Sequence, residues 1–542
     1  MPEITTVEII ARRLYAAGCR HAFGIPGGEV IAMMDALAAA GIAFHLTKHE
    51  NGAGFMAEGA HHAGGAPGIL LATIGPGLAN AVNVIANADQ DRVPLIVLTG
   101  CVDQAEALTY THQVLDHNAL MAPITKASFT AVDRASDVMI DKALAIALEG
   151  RPGPVHIDIP IGLATKPQPA PLGVMRRPPA GLAPAPGADL ERARALFRAA
   201  ERPIMVAGLD VLYEAGAAES IRNFVERFAV PLLTTYKAKG ILGENHPLSL
   251  GGHGLSPLSD EHVLPLVSAA DLVIAAGYDP IEMRSGWLRP WDPARAIEFS
   301  PVANRHYVHH ADLQFECGVG AGLEALAAGR AVSGDASVAT WPGREPETVR
   351  AKLREVFSAT EAWGPTAAIA AIRRAAPHDT VATVDSGAHR ILLSQMWTCY
   401  EPRTLLQSTG LCTMGCALPL AIGHAVAEPK RPVIAFTGDA GLEMILGELA
   451  TLRDHALPVL VVVFVDRSLA LIELKQRRTG WANLGVDFPG TDFVAVAEAM
   501  GGIGVMAETT EAVEHEVEAA FARQKFTLLA IPIGRKSYDG RF

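Results

Sequence analysis

Charge is scarce in this chain. Only 19% of its 542 residues are Asp, Glu, Lys or Arg, while 50% are hydrophobic. That balance excludes a disordered chain and predicts a folded protein with extensive buried surface. It also leaves room for a partner subunit to cover part of the exterior. Basic stripes are lacking too: 45 Lys and Arg face 58 Asp and Glu, a formal net charge of −13. Nucleic acid is therefore not expected as a partner. An anionic ligand would have to be held by backbone N–H groups and a metal rather than by a general positive field. No apolar run reaches the roughly 20 residues that span a bilayer, so no membrane partner is expected. The N-terminus lacks a charged n-region followed by an apolar core, so no signal peptide is read. Cysteines are few (Cys19, Cys101, Cys317, Cys399, Cys412 and Cys416) and form no CxxC pair. They are expected to be buried, reduced thiols of a cytoplasmic protein.

What is present is length and alternation. A chain of 542 residues exceeds one hydrophobic core and predicts two to four domains. Proline is dense from Lys166 to Gly187, and Gly, Ser, Thr and Pro gather from about Ser333 to Glu347. These stretches read as linkers at 166–187 and 333–362, dividing the chain into domains at 1–165, 188–332 and 363–542. Short, almost continuously apolar runs alternate with helical stretches: Gly68–Thr73, Pro94–Thr99, Pro203–Ala207, Leu272–Ala276, Pro432–Thr437, Val459–Val465 and Leu528–Ile533. The predicted class is α/β, with a doubly wound parallel sheet in each of three domains. In such sheets ligands lie beyond the carboxyl ends of strands.

Two of those ends carry carboxylates. The run Pro432–Thr437 leads into Gly438-Asp439-Ala440-Gly441, with a helix expected from near Leu442. Small residues let backbone approach a ligand, the helix start offers N–H groups to phosphate, and Asp439 supplies a hard oxygen. The run Val459–Val465 ends at Asp466-Arg467-Ser468, 27 residues beyond Asp439. A β-α-β unit of that length returns the second carboxylate to the same sheet edge. Mg²⁺ suits such a site, because it takes few protein oxygens plus phosphate and water. Taken singly, Asp439 is explained as a helix cap and Asp466 as a turn residue; spacing, strands and helix together favour the cation.

A third carboxylate lies near the N-terminus. His45–Thr47 reads as a short strand, Lys48 to Gly54 as a turn, and Phe55 as about the start of a helix. Glu50 thus sits among small and apolar neighbours. It is either a first-turn carboxylate that stabilises the helix or a buried proton-exchanging group.

The stretch from Gly438 to Ser468 resembles the thiamine-diphosphate motif, which opens with Gly-Asp-Gly and closes with Asn. KHENGAGFMAEG, beginning at Lys48, resembles the glutamate segment of the same enzymes. The resemblance covers nearly the whole chain, in the order pyrimidine-binding, middle and diphosphate-binding domain. It implies thiamine diphosphate held through Mg²⁺, with Asp439, Asp466 and the Ser468 carbonyl as metal ligands. Gly438, Ala440, Gly441 and the run Leu469, Ala470, Leu471, Ile472 would flank the cofactor, and Glu50 would face its aminopyrimidine ring. Two departures stand out. Ala440 replaces Gly. Asp466 replaces Asn and adds a negative charge beside a diphosphate, which should weaken binding or favour an extra water or proton. Enzymes similar to this one are dimers or tetramers in which the glutamate domain of one subunit faces the diphosphate domain of its neighbour. A homodimer or homotetramer is therefore implied.

Further segments are most similar to those of acetolactate synthases. Gly24-Ile25-Pro26-Gly27-Gly28 resembles their glycine loop beside the substrate, and Thr73-Ile74-Gly75-Pro76-Gly77 their GPG turn. His112-Gln113 resembles their HQ segment, whose glutamine faces the substrate. Leu411-Cys412-Thr413-Met414-Gly415 resembles the segment whose methionine wedges the cofactor into a bent shape, with Cys412 where Gly is usual. Where pyruvate decarboxylases carry a catalytic Glu, this chain has Ile472; Glu473 lies one step, about 100°, further round the helix. Gly277-Tyr278-Asp279-Pro280-Ile281-Glu282 looks like the flavin-free, catabolic type, so FAD is not expected. The implied reaction is carboligation, in which a 2-oxo acid, with pyruvate the expected donor, loses carbon dioxide and the remaining fragment joins a second carbonyl. The alternatives are a simple 2-oxo acid decarboxylase, an acyltransferase or C–C lyase with the same cofactor, and an inactive cofactor-binding homologue. Asp466 motivates the last and Glu50 argues against it. The segments His306–His310 and Gly480–Leu484 differ from an ordinary synthase and leave room for another substrate; the second, which follows the active-site helix, reads either as a cover for the pocket or as a surface loop.

Overall fold

The computed structural model describes residues 3–103, 105–169, 181–281, 283, 285–304, 306–328 and 341–542. Among them are three six-stranded, wholly parallel sheets and one short antiparallel pair. The pair joins β1 (Glu3–Thr5) to β8 (Pro167–Pro169), so the first residues of the expected 166–187 linker fold back onto the N-terminus. Residues 170–180 of that linker and 329–340 lie outside the described residues.

The N-terminal sheet holds β2 (His21–Gly24), β3 (Ala43–Leu46), β4 (Gly68–Ala72), β5 (Leu95–Cys101), β6 (Ala127–Thr130) and β7 (Val155–Pro160), in the order β3-β2-β4-β5-β7-β6. The middle sheet holds β9 (Pro203–Ala207), β10 (Leu232–Thr234), β11 (Ser249–Gly252), β12 (Leu272–Ala276), β13 (Ala296–Ser300) and β14 (Leu313–Glu316), ordered β11-β10-β9-β12-β13-β14. The C-terminal sheet holds β15 (Val381–Val384), β16 (Leu405–Gln407), β17 (Val433–Gly438), β18 (Leu460–Val465), β19 (Ile503–Met506) and β20 (Thr527–Pro532), ordered β16-β15-β17-β18-β20-β19. The first and third sheets thus share one strand permutation. Every residue of β4, β9 and β12 is buried, as expected of central strands covered by helices on both faces. The direction of winding reverses between β2 and β4, between β9 and β12, and between β15 and β17, opening a crevice at the carboxyl ends there.

The helix Glu50–Gly64 crosses the helix Ala417–Ala427 of the C-terminal domain. Gly59 and Gly423 make that approach possible: a Cβ on Gly59 would stand 2.2 Å from the Leu420 carbonyl oxygen, and one on Gly423 1.9 Å from that of Met56. The stretch expected as the second linker is in part a helix, Glu345–Val356. Its Leu353, with Phe357 and Trp341, joins the core, and the Trp341 indole donates to the Pro203 carbonyl at 2.8 Å. Apolar residues recurring every three to four positions override the local Gly/Pro signal there. Among the described residues no helix is long and apolar enough to cross a membrane. All six cysteines are free; four are buried, while Cys101 and Cys412 are partly exposed.

Candidate functional site

A cavity of about 230 Å³ opens at the switch point of the C-terminal sheet. Its walls are the segments that follow three strands: Ser386 to His389 after β15, Gly438 to Gly441 after β17, and Asp466 and Ser468 to Ile472 after β18. Cys412, Met414, Phe464 and Tyr538 complete it. The structure thus brings together Cys412, Met414, Gly438, Asp439, Ala440, Gly441, Asp466, Ser468, Leu469, Ala470, Leu471 and Ile472 in one cavity.

Asp439 opens a short helix, Asp439–Glu443. The single helix expected from Leu442 is instead broken at 444–447 and resumes as Glu448–Asp454. Asp439 Oδ2 accepts from the backbone N–H groups of Arg467 (2.7 Å) and Asp466 (3.1 Å), and Oδ1 from Ala440 (2.8 Å). These bonds tie the two carboxylate segments together. Burial raises the Asp439 carboxyl despite those three donors. Burial, with the Asp439 charge beside it, pushes Asp466 up to about 7. Two adjacent buried carboxylates are a donor set for a hard cation. The same cavity carries further polar groups. His389 is buried, held neutral by burial and by Arg390 with its pKa pushed down to about 3, and its Nε2 has no partner. The Ser468 hydroxyl is buried beside Asp487, whose carboxyl it holds down. An orphaned polar atom such as His389 Nε2 is costly unless a ligand or water completes it.

Cys412 has φ +56°, a left-handed conformation that is disfavoured by any Cβ. This explains why Gly is usual at the position in the similar enzymes. The Cys412 thiol donates to the Thr409 carbonyl at 3.1 Å and accepts from Arg390 Nη2 at 3.3 Å.

The remaining expected residues gather elsewhere. Glu50 is the first residue of its helix rather than lying ahead of a helix that starts at Phe55, and the preceding His49 caps it through Nδ1. The Glu50 carboxylate is buried, and Oε2 accepts from Asn80 Nδ2 at 3.0 Å. Gly75 has φ +64°, and a Cβ there would stand 2.4 Å from the Gln113 carbonyl oxygen. The Gly75 N–H donates to His117 Nε2 at 3.0 Å, and His117 Nδ1 meets Asp158 at 2.7 Å. Because Nε2 faces an N–H donor, the ring proton sits on Nδ1. His117, His156 and Asp158 are close enough for a metal, but every ring nitrogen there already has a hydrogen-bond partner. Gln113 itself is exposed. Pro26 and Gly27 follow β2, Gly28 starts a short turn of 3₁₀ helix, and Gly27 lies against Thr73. Glu50, Pro26, Gly27, Gly28, Gly75 and Gln113 therefore surround the N-terminal switch point and do not line the cavity of the C-terminal domain. Glu448 joins the two domains, its Oε1 accepting from the N–H groups of Lys48 (3.2 Å) and His49 (3.1 Å).

Ile472 lines the cavity, whereas Glu473 pairs with Arg477 at 3.0 Å and faces a second cavity with Arg535 and Asp539. Trp481 and Leu484 are exposed, but the segment they belong to is pinned at its base, where Leu469 N–H donates to Val486 O at 2.8 Å. His306 and His309 pack round Tyr278 and Trp291 in the middle domain and do not line the cavity. Asp279 is buried there against Arg92 and Arg151; Glu282 lies outside the described residues. Sequence reasoning missed His389, because β15 was not read as a strand, and missed Tyr538, Asn80 and His117, which only long-range packing brings in.

A doubly wound α/β scaffold with a carboxylate pair at one switch point and a buried glutamate at another defines a class of cofactor-dependent enzyme. Three family descriptions match in order: "Thiamine pyrophosphate enzyme, N-terminal TPP binding domain" at residues 4–120, "central domain" at 190–326 and "C-terminal TPP binding domain" at 385–531. The chain belongs to the thiamine pyrophosphate enzyme family. Within it, the chain is 32% identical over 521 residues to the acetolactate synthase isozyme 1 large subunit of Escherichia coli (strain K12), covering 92% of this chain and 88% of that one. It is 30% identical over 517 residues to a probable acetolactate synthase large subunit of Methanocaldococcus jannaschii (91% and 86% covered). It is 29% identical over 538 residues to the catabolic acetolactate synthase of Raoultella terrigena (97% and 94% covered).

Proposed function

We propose that the protein is a carboligase of the acetolactate synthase type, decarboxylating a 2-oxo acid, pyruvate in the first instance, and joining the remaining fragment to a second carbonyl. The observation that carries this reading is the apolar Leu471 and Ile472 wall beside the carboxylate pair, with Glu473 turned away into an ion pair. Leu471 and Ile472 themselves supply no proton to release an aldehyde, which favours a second carbonyl as the acceptor. Thiamine diphosphate, when bound, would supply a nucleophilic carbon and an electron sink for the departing carbon dioxide. Mg²⁺ would be held by Asp439, Asp466 and the Ser468 carbonyl. Glu50, oriented by Asn80, would exchange a proton with the cofactor's ring nitrogen. Pro26 and Gly75 would border the ring, and Gln113, Gly27 and Gly28 would face the substrate. Met414 would bear on the cofactor from the opposite side.

In this reading the site is shared between two copies of the chain, since Glu50 does not line the cavity of its own chain. FAD has no part in it. Product analysis after incubation with thiamine diphosphate, Mg²⁺ and a panel of 2-oxo acids tests the proposal. Acetolactate from pyruvate is the expected product. Aldehyde alone would replace the reading with a decarboxylase, and no carbon dioxide from any acid would replace it with a lyase or an inactive homologue.

A further inference from the structure

The loop 408–414 belongs to the C-terminal domain by sequence, yet its polar groups are gripped by the N-terminal domain. Helix Val82–Gln90 and its cap present Asn83, Asn87 and Asp91, four residues apart and so on one face. The Thr413 hydroxyl donates to Asn83 Oδ1 at 3.1 Å and the Ser408 hydroxyl to Asn87 Oδ1 at 2.6 Å. Ser408 Oγ in turn accepts from Thr413 N–H at 2.9 Å. Asp91 accepts from Thr409 N–H (3.0 Å), the Thr409 hydroxyl (2.7 Å) and Gly410 N–H (2.7 Å), with Lys237 Nζ 3.0 Å behind it. Asn87 and Asp91 are fully buried. A desolvated carboxylate persists only when its lone pairs are filled, so these bonds are not interchangeable with water. They fall on both sides of Cys412, whose left-handed φ survives only where the surrounding structure over-determines it.

We propose that Asn83, Asn87 and Asp91 are positioning residues that clamp the 408–414 loop in its strained form and so set Met414 against the bound cofactor. The inference rests on the reading that this loop meets thiamine diphosphate. It assigns to one helix face of the first domain control over a wall of the cavity in the third.

The test uses the full-length protein with Asn83→Ala, Asn83→Asp and Asp91→Asn. Two quantities are measured: amide hydrogen exchange of the 408–414 peptide, and half-saturation by thiamine diphosphate with Mg²⁺, followed by intrinsic fluorescence. Asn83→Ala removes one exposed bond and should raise both by about 3-fold; Asn83→Asp keeps the acceptor and should restore them. Asp91→Asn, which disturbs several bonds at once, should raise both at least ~10-fold. Exchange elsewhere in the C-terminal domain should not change. Wild-type exchange in the loop of Asp91→Asn, or Asn83→Asp behaving like Asn83→Ala, overturns the clamp. Should Asp91→Asn fail to fold, the exposed Asn83 pair decides alone. If the wild type shows no saturation, the cofactor reading falls, and the exchange data still decide whether the clamp exists.

Discussion

Replacing Asp466 with Asn isolates one feature in which this chain departs from the enzymes it resembles. Asp466 is 8% exposed, and its carboxyl is pushed from 3.8 up to about 7 by burial and by Asp439. A raised value in the folded state means that folding favours the protonated form. The stabilising effect of that proton is complete below the unfolded value of 3.8 and is lost as pH rises through about 7. Between about pH 6 and about pH 8 the loss works out at roughly 1.4 kcal/mol, an order-of-magnitude figure from one pH unit's worth of linkage. Asn retains an oxygen for a cation and removes the titration. The metal-free variant should therefore be more stable than the wild type at about pH 8, and its melting temperature should fall less between about pH 6 and about pH 8. Mg²⁺ compensates both carboxylates and so displaces the proton. Wild-type Mg²⁺ affinity should accordingly climb by up to ~10-fold per pH unit below about 7, while that of the variant stays nearly flat. Calorimetric scans of metal-free protein and Mg²⁺ titrations at several pH values measure both. A variant as pH-sensitive as the wild type in melting, with the same slope of Mg²⁺ affinity, would refute the account of Asp466 as a protonated, like-charge partner.

Glu50→Gln preserves the shape of the buried side chain beside Asn80 but cannot exchange a proton. Proton exchange at the reactive carbon of bound thiamine diphosphate, followed by NMR, should slow by about 10²- to 10⁴-fold, while cofactor binding changes far less; unaltered exchange would exclude Glu50 as the activating acid. Cys412→Gly relieves roughly 1 kcal/mol of left-handed strain and loses two thiol contacts. Its melting temperature should not fall, and a clear drop would mean that the thiol outweighs the backbone. Asp210 is pushed from 3.8 up to about 6, chiefly by burial, against the pull of Arg151. Its ionisation therefore works against the fold as pH rises from 3.8 through about 6. Asp210→Asn should flatten the pH dependence of melting across that window, and an unchanged slope would show that burial is not the cause.

Local pattern determined much of this protein. Near-continuous apolar runs such as Pro203–Ala207 and Leu272–Ala276 are strands with the bounds their composition predicts, because a strand buried on both faces needs apolar side chains at every position. The 27-residue interval from Asp439 to Asp466 is one β-α-β return, and the two carboxylates share a cavity. Other features depend on contacts between distant segments. β15 is only four residues long, Val381–Val384, too short to stand out, so His389 at its end went unread. The helix expected to begin at Phe55 begins at Glu50 because His49 caps it and Glu448 holds the N–H groups ahead of it. Tertiary structure also decided what Asp466 means. In sequence it is an Asp where Asn is usual; only burial beside Asp439 turns that exchange into a carboxyl that titrates near neutrality. Periodicity encodes which face of an element is apolar. It carries no information about which distant strand ends and helix faces will meet, and the site lies at those meetings.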